Sequence, residues 1–189
     1  RTAFDGVLDF DVLLRDGFAS LPLPDAPFAQ GDFPTPSGRC EFFSEALQRS
    51  WGDGLPDYVP NHEPAGSDAR YPLAMISPPA RNFLNSTFVN VRSLRDIEGQ
   101  PLLEMHPSDA AARGLRDGQT VRVYNDRGSY HCVLCVNGRA RAGVVNGLGI
   151  WWRKLGLNGT NVNELTSQHL TDLGRAPVFY DCLVEVVLA

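Results

Sequence analysis

The pattern of apolar and polar positions from residue 71 onward predicts a series of short strands. Residues 119–124 alternate apolar and polar with period two, and 129–136 return after an Asn-Asp-Arg-Gly turn, so the two segments are predicted to pair as a hairpin. Continuous apolar runs at 71–77 and 183–188 are typical of buried strands. The full set of predicted strands is 71–77, 87–92, 101–106, 119–124, 129–136, 139–146 and 183–188.

Two short helices are predicted among these strands and before them. Residues 106–114 place a proline in the first turn, an aspartate beside it and a glycine at the end, which marks both ends of a helix. Residues 44–50 read as a second short helix, with Ser44 as its N-cap. Many short strands, few helices and tight glycine turns together predict a small barrel or sandwich.

The first 70 residues differ in composition from the rest of the chain. They hold 8 of the 14 prolines and carry a net charge of −7, whereas residues 71–189 carry +2. We therefore predict two parts: an irregular, proline-rich extension over 1–70, and a mainly β domain over 71–189. The overall charge of −5 argues against non-specific binding of nucleic acid, and no apolar run is long enough to predict a membrane span.

The four cysteines do not form a convincing metal or disulfide pattern. Cys132 and Cys135 make a CxxC, but they lie in a predicted strand, where residues three apart face opposite sides. A structural role is therefore favoured over a metal or redox site. The four histidines show no ligand spacing, the glycine-rich phosphate-binding patterns are absent, and no set of catalytic residues can be assigned.

Small polar residues in the predicted loops are the most suggestive chemical feature. Asparagine offers donors and an acceptor, and serine or threonine offers a hydroxyl, so such residues suit a neutral ligand such as a pterin or purine edge. The same residue types are also ordinary turn formers, and that explanation accounts for most of them.

Four segments, taken in order, resemble one protein family. Residues 104–128, EMHPSDAAARGLRDGQTVRVYNDRG, look like the signature of the C-terminal molybdopterin dinucleotide-binding domain of the dimethyl sulfoxide reductase family of molybdenum and tungsten oxidoreductases. The segments YPLAMIS at 71–77, NGTNVNELT at 158–166 and FPTPSGRCEF at 33–42 agree with the same family. Each segment is weak alone, but their ordered combination is specific.

The resemblance implies a fold and a cofactor. The expected fold is a six-stranded double-psi β-barrel with short helices, preceded by the irregular extension. The expected ligand is molybdopterin guanine dinucleotide, of which such enzymes carry two on one molybdenum or tungsten atom. The metal ligand and any iron–sulfur cysteines would come from upstream domains, so the chain is expected to contribute no catalytic residue and no metal ligand.

The resemblance also assigns candidate cofactor-binding residues, position by position. In the loop after the first strand, Asn85 and Ser86 stand where the family has a histidine–threonine pair, and Ser77 ends the strand. The family's arginine just after this strand is replaced by Pro78-Pro79, with Arg81 nearby. The candidates are Ser77, Asn85, Ser86, Asn125, Asn161, Asn163 and Thr166. The segment 151–154, with two tryptophans, lies near the cofactor or packs the barrel, and packing is favoured.

Three readings of the function follow. The leading one is a C-terminal fragment of a molybdopterin oxidoreductase, with upstream domains of the same polypeptide as partners; the fragment alone is expected to be inactive and to lack the cofactor. The alternatives are a stand-alone subunit acting in trans and a non-catalytic barrel used for recognition. The substrate is not specified by the sequence. The expected compartment is the cytoplasm, and a periplasmic location stays open.

Overall fold

The computed structural model describes residues 6–21 and 23–189 and divides the chain into two compact units, Arg1–Pro56 and Asp57–Ala189. The predicted domain boundary after residue 70 stays a prediction. None of the helices in the described residues is long and apolar enough to cross a membrane.

Two short helices, joined by turns, lie in the described residues of the first unit. Helix α1 spans Phe10–Asp16 and α2 spans Glu45–Trp51, and neither buries a residue. The α2 prediction is confirmed within one residue, including the cap: the Ser44 hydroxyl accepts a hydrogen bond from the Leu47 N–H at 3.3 Å. Helix α1 is an element that the sequence pattern did not predict. Its N-cap is Asp9, whose carboxylate accepts from two backbone N–H groups of the first turn.

The second unit is a closed barrel of six strands. The strands are β1 (Leu73–Ile76), β2 (Leu102–Met105), β3 (Thr120–Asn125), β4 (Gly128–Val136), β5 (Val144–Leu148) and β6 (Leu183–Leu188). They neighbour one another in the closed order β1-β5-β2-β4-β3-β6. The pairs β1–β5 and β2–β4 are parallel and the other four pairs are antiparallel. The mainly β, six-stranded barrel implied by the resemblance is confirmed.

Alternation along the strands fills the barrel interior. On β3, Val121 and Val123 are fully buried while Thr120 and Arg122 point outward, as period-two alternation requires. The interior also takes up Cys132 of β4, whereas Cys135 is half-buried and outside the core cluster. Residues three apart on a strand face opposite sides, so the CxxC is divided between two faces, and the four cysteines are free thiols.

Two helices flank the barrel strands. Helix α4 (Pro107–Ala112) confirms the prediction for 106–114, with proline at its first position and a side-chain cap from His106. Helix α3 (Arg92–Glu98) was not predicted. The expected strand at 87–92 is wrong, because the chain turns there and enters α3. Phe88 adopts a left-handed backbone conformation with φ of 74°, which is incompatible with a continuous strand.

Candidate functional site

The parallel pairing of β1 and β5 brings two loops to one edge of the barrel. Ile76 of β1 lies opposite Asn146 of β5, so both strands end at the same edge. The Gly149 N–H donates to the Pro78 carbonyl at 2.9 Å, just beyond the two strand ends. Residues 77–91, here called the strand-1 loop, and the segment after β5 therefore leave the barrel side by side.

The strand-1 loop presents three of the candidate residues. Ser77 is half-buried, and Asn85 and Ser86 are exposed near the tip of the loop. Their side chains make no hydrogen bond within the described part of the chain. Asn85 has φ of 53°, a left-handed conformation that asparagine tolerates better than most residues. The polar atoms of these three side chains are therefore available to a ligand.

The strand-1 loop is held in place by packing and by a carboxylate. Phe83 and Trp151 meet edge to face with ring centroids 5.2 Å apart, inside a small buried cluster separate from the barrel core. The Glu98 carboxylate on α3 accepts from the Asn82 backbone N–H at 2.6 Å and from its side-chain amide at 2.8 Å. Thus the loop has a fixed base below its exposed tip.

A second loop, residues 158–167, carries three further candidates and is here called the asparagine loop. Asn161 is structurally engaged: its side-chain oxygen accepts from the Asn163 N–H at 3.0 Å, and its amide donates to the Trp151 carbonyl at 2.9 Å. The Thr166 hydroxyl donates to the Asn163 carbonyl at 3.2 Å. Asn163 itself is exposed, and its side chain forms no hydrogen bond to any described residue. Of the three, Asn163 is the one best placed to contact a ligand.

Asn125 is also used by the fold. Its amide nitrogen donates to the Leu165 carbonyl at 3.0 Å and to the Leu183 carbonyl at 3.1 Å. Its oxygen accepts from the Arg127 N–H at 2.9 Å, which closes the β3–β4 turn. All of its polar atoms therefore have partners in the protein. A direct cofactor contact by Asn125 stays a prediction, and the geometry gives it a structural role.

An ion pair that the sequence did not indicate holds the β3–β4 turn against the segment that precedes β1. The Arg127 guanidinium contacts both oxygens of Glu63, at 2.5 and 3.1 Å, and also donates to the Leu165 carbonyl at 2.6 Å. The Leu183 N–H donates to Glu63 as well, at 2.8 Å. Burial raises the pKa of Glu63, but the hydrogen bonds from Arg127 and Leu183 outweigh it and leave the pKa below its ordinary value.

A neighbouring set of contacts joins the same turn to the start of the barrel. The Tyr71 hydroxyl donates to the Asp126 carboxylate at 2.7 Å, and the Arg70 guanidinium contacts it at 3.0 and 3.3 Å. The hydrogen bond from Tyr71 is the largest of the effects that hold the pKa of Asp126 below its ordinary value. Asp126 and Arg127, two consecutive residues of the N-D-R-G motif, thus both hold the segment before β1 against the turn.

The candidates divide into two groups by what their polar atoms do. Those with side chains available to a ligand are Ser77, Asn85, Ser86 and Asn163; those engaged within the fold are Asn125, Asn161 and Thr166. Exposed cationic groups near the same loops are Arg81 and Lys154. No group of three or more His, Cys, Asp or Glu side chains in the described residues is arranged to hold a metal ion. The edge therefore offers hydrogen-bond partners and positive charge.

Comparison with known proteins agrees with this fold. The family model for the molydopterin dinucleotide binding domain matches residues 73–183, which include the first five strands and the first residue of β6. The chain is 33% identical over 179 residues to a probable oxidoreductase, YoaE, of Bacillus subtilis, covering 95% of this chain and 25% of that protein. It is 33% identical over 196 residues to a putative catalytic subunit of dimethyl sulfoxide reductase from Halobacterium salinarum, covering 98% of this chain and 23% of that protein.

A solved structure shares the fold. Acetylene hydratase from Pelobacter acetylenicus superposes with a TM-score of 0.74 at 21% identity, over 89% of this chain and 26% of that chain. The chain thus spans about a quarter of the length of these relatives. Because the family model covers more than half of its residues, the chain belongs to the molydopterin dinucleotide binding domain family.

Proposed function

We propose that the chain is the C-terminal part of the catalytic subunit of a molybdopterin-dependent oxidoreductase, and that it binds the guanine dinucleotide form of the cofactor. The observation that carries the proposal is the shared edge of β1 and β5. Side chains of Ser77, Asn85, Ser86 and Asn163 lie on the loops associated with this edge, and their polar atoms have no partner among the described residues.

The chemistry of these residues fits the proposed ligand. A pterin or guanine edge presents donors and acceptors side by side, and amide and hydroxyl side chains can match both. The diphosphate of a dinucleotide needs positive charge, for which Arg81 and Lys154 are exposed near the loops. The bound cofactor and its metal would supply the redox chemistry, while the residues of this chain bind and orient it.

The rest of the enzyme is proposed to come from the same polypeptide. Upstream domains would supply the metal ligand for molybdenum or tungsten and the remaining cofactor surface, as the greater length of the relatives supports. The first unit exposes large apolar side chains, including Phe18 at 72% and Phe42 at 89%, which suits contact with further protein. We propose the cytoplasm as its compartment.

The binding proposal can be tested with guanosine diphosphate, which represents one half of the dinucleotide. Titration of the ¹⁵N-labelled chain should shift the backbone amide signals of Ser86 and Asn163. The variant Asn163→Ala should weaken the binding by about fivefold, since a neutral hydrogen bond contributes about 1 kcal/mol. The matched control is Asn61→Ala, which truncates another exposed asparagine, outside both loops. If neither signal shifts at millimolar nucleotide in the folded chain, the proposed site is wrong.

The dependence on upstream domains has a separate test. The chain alone is expected to turn over no substrate and to retain no metal, because it holds only part of the cofactor surface. Elemental analysis of the purified chain should therefore find neither molybdenum nor tungsten in stoichiometric amount. A stoichiometric amount of either metal would refute this part of the proposal.

A further inference from the structure

Two adjacent tryptophans lie between the two loops that carry the available candidate residues. Trp151 is buried and packs against Phe83 at the base of the strand-1 loop. Trp152 is half-buried, and the ammonium group of Lys154 lies 5.0 Å from the centre of its ring. Packing was the expected role of this pair, and Trp151 does pack against Phe83. The pair also forms hydrogen bonds with both loops.

Each loop is attached to the tryptophan pair by one hydrogen bond. The Trp152 indole N–H donates to the Ser86 carbonyl at 2.7 Å, near the tip of the strand-1 loop. The Trp151 carbonyl accepts from the Asn161 side chain at 2.9 Å, at the start of the Asn161–Asn163 turn. In the portion of the chain that the structure describes, no hydrogen bond joins the two loops directly. The tryptophan pair is thus hydrogen-bonded to both loops and links the tip of the strand-1 loop to the Asn161–Asn163 turn.

We propose that Trp152 and Asn161 are positioning residues that hold Ser86 and Asn163 at the separation a single ligand requires. The inference rests on the proposed function, because it assumes that one ligand contacts both loops. A binding site gains affinity when its side chains are already in position before the ligand binds, because binding then costs less conformational entropy. Ser86 is exposed, and the bond from Trp152 is the one hydrogen bond that ties it to a described residue outside the strand-1 loop.

The first measurement is amide hydrogen exchange in the full chain without ligand. Leu84 and Thr87 donate to each other's carbonyls across the strand-1 loop, at 3.1 and 2.9 Å, so their amides report on that loop. Trp152→Phe keeps an aromatic ring but removes the indole donor. Exchange of these two amides should rise by about threefold to tenfold, the effect of losing one hydrogen bond. Unchanged exchange would overturn the inference whether or not a nucleotide binds.

The second measurement is the affinity for guanosine diphosphate. Trp152→Phe and Asn161→Ala should each raise the dissociation constant about threefold to tenfold, although neither side chain is proposed to touch the ligand. Trp51→Phe, the same substitution in the first compact unit, serves as the matched control and should leave the affinity unchanged. The midpoint of urea unfolding is measured for each variant, because a merely structural role predicts that any loss of affinity follows a loss of stability.

The outcomes separate this inference from the proposed function. If the unchanged chain binds the nucleotide and the Trp152 and Asn161 variants bind it equally well, the positioning role is refuted and the proposed function stands. The positioning role is also refuted if affinity falls only in proportion to stability. If the unchanged chain shows no response at Ser86 and Asn163, the proposed function fails, and the inference that rests on it fails too.

Discussion

The Glu63–Arg127 ion pair gives the sharpest prediction about the stability of the barrel unit. The substitution that tests it is Glu63→Gln, which keeps the side-chain shape and removes the charge. The carboxylate accepts three hydrogen bonds, two from Arg127 and one from the Leu183 N–H, and the Arg127 and Glu63 side chains are 32% and 21% exposed. Hydrogen bonds to charged groups contribute about 1.5–3 kcal/mol. Solvent reaches part of this pair, so we expect a loss of about 1–2 kcal/mol at pH 7.

The pH dependence of this loss follows from the pKa of Glu63. Hydrogen bonds in the folded state hold this pKa below the unfolded value of about 4.3. The unfolded chain therefore binds the proton more readily, and the pair stabilises the fold fully above the unfolded pKa. As the pH falls through the folded pKa, this contribution disappears. The difference in unfolding free energy between the unchanged chain and the Glu63→Gln variant is thus expected to be constant near pH 7 and to shrink in acid.

The assay is urea unfolding followed by tryptophan fluorescence. In a Trp51→Phe background, the emission comes from Trp151 and Trp152 and reports on the barrel unit alone. The matched control is Arg92→Ala, because Arg92 forms an exposed ion pair with Asp96 at 3.7 Å on α3. That variant should lose less than about 0.5 kcal/mol. Equal stability of Glu63→Gln and the unchanged chain at pH 7 would refute the reasoning.

Two further predictions concern the core and the turn before the asparagine loop. Burial raises the pKa of Cys132 to about 12 and that of Cys182 to about 11. An aromatic disulfide reagent at mildly alkaline pH should therefore modify the exposed Cys40 first, and Cys132 and Cys182 only after unfolding. Rapid modification of all four thiols in the native chain would contradict this prediction. Gly156→Ala should destabilise the barrel unit by about 1–3 kcal/mol, because the added Cβ would overlap the Thr160 backbone carbonyl oxygen. The control Gly138→Ala places its Cβ where no atom lies within 4 Å. Equal unfolding midpoints for the two variants would contradict the close approach of Gly156 to Thr160.

Local patterns were reliable where neighbouring residues decide the structure. Period-two alternation located β3, the turn after it located the returning strand β4, and capping signals located α2 and α4. The predicted strand at 87–92 was wrong because the β-branched residues of this segment favour a strand only when a partner strand is available. Here the left-handed conformation of Phe88 ends the extended backbone, and α3 begins four residues later.

The candidate site was predictable in residue type but not in how each residue is used. The motifs placed Asn125, Asn161 and Asn163 in loops. The side-chain amide of an asparagine in a loop can bind a ligand, or the same atoms can form hydrogen bonds with backbone groups of the protein. The structure separates them: the amides of Asn125 and Asn161 donate to carbonyl groups of the protein, whereas Asn163 is exposed. This distinction depends on which carbonyls lie nearby in space.

By itself the sequence determined strands β3 and β4, the capped helices α2 and α4 and the family resemblance, because alternation, turn signals, caps and motifs are properties of residues close together along the chain. Only the tertiary structure decided that Glu63 pairs with Arg127, and that Trp152 reaches Ser86. These partners are 64 and 66 residues apart. Such contacts depend on the closed strand order of the barrel, in which parallel pairing brings distant loops to one edge, and no local pattern records that order.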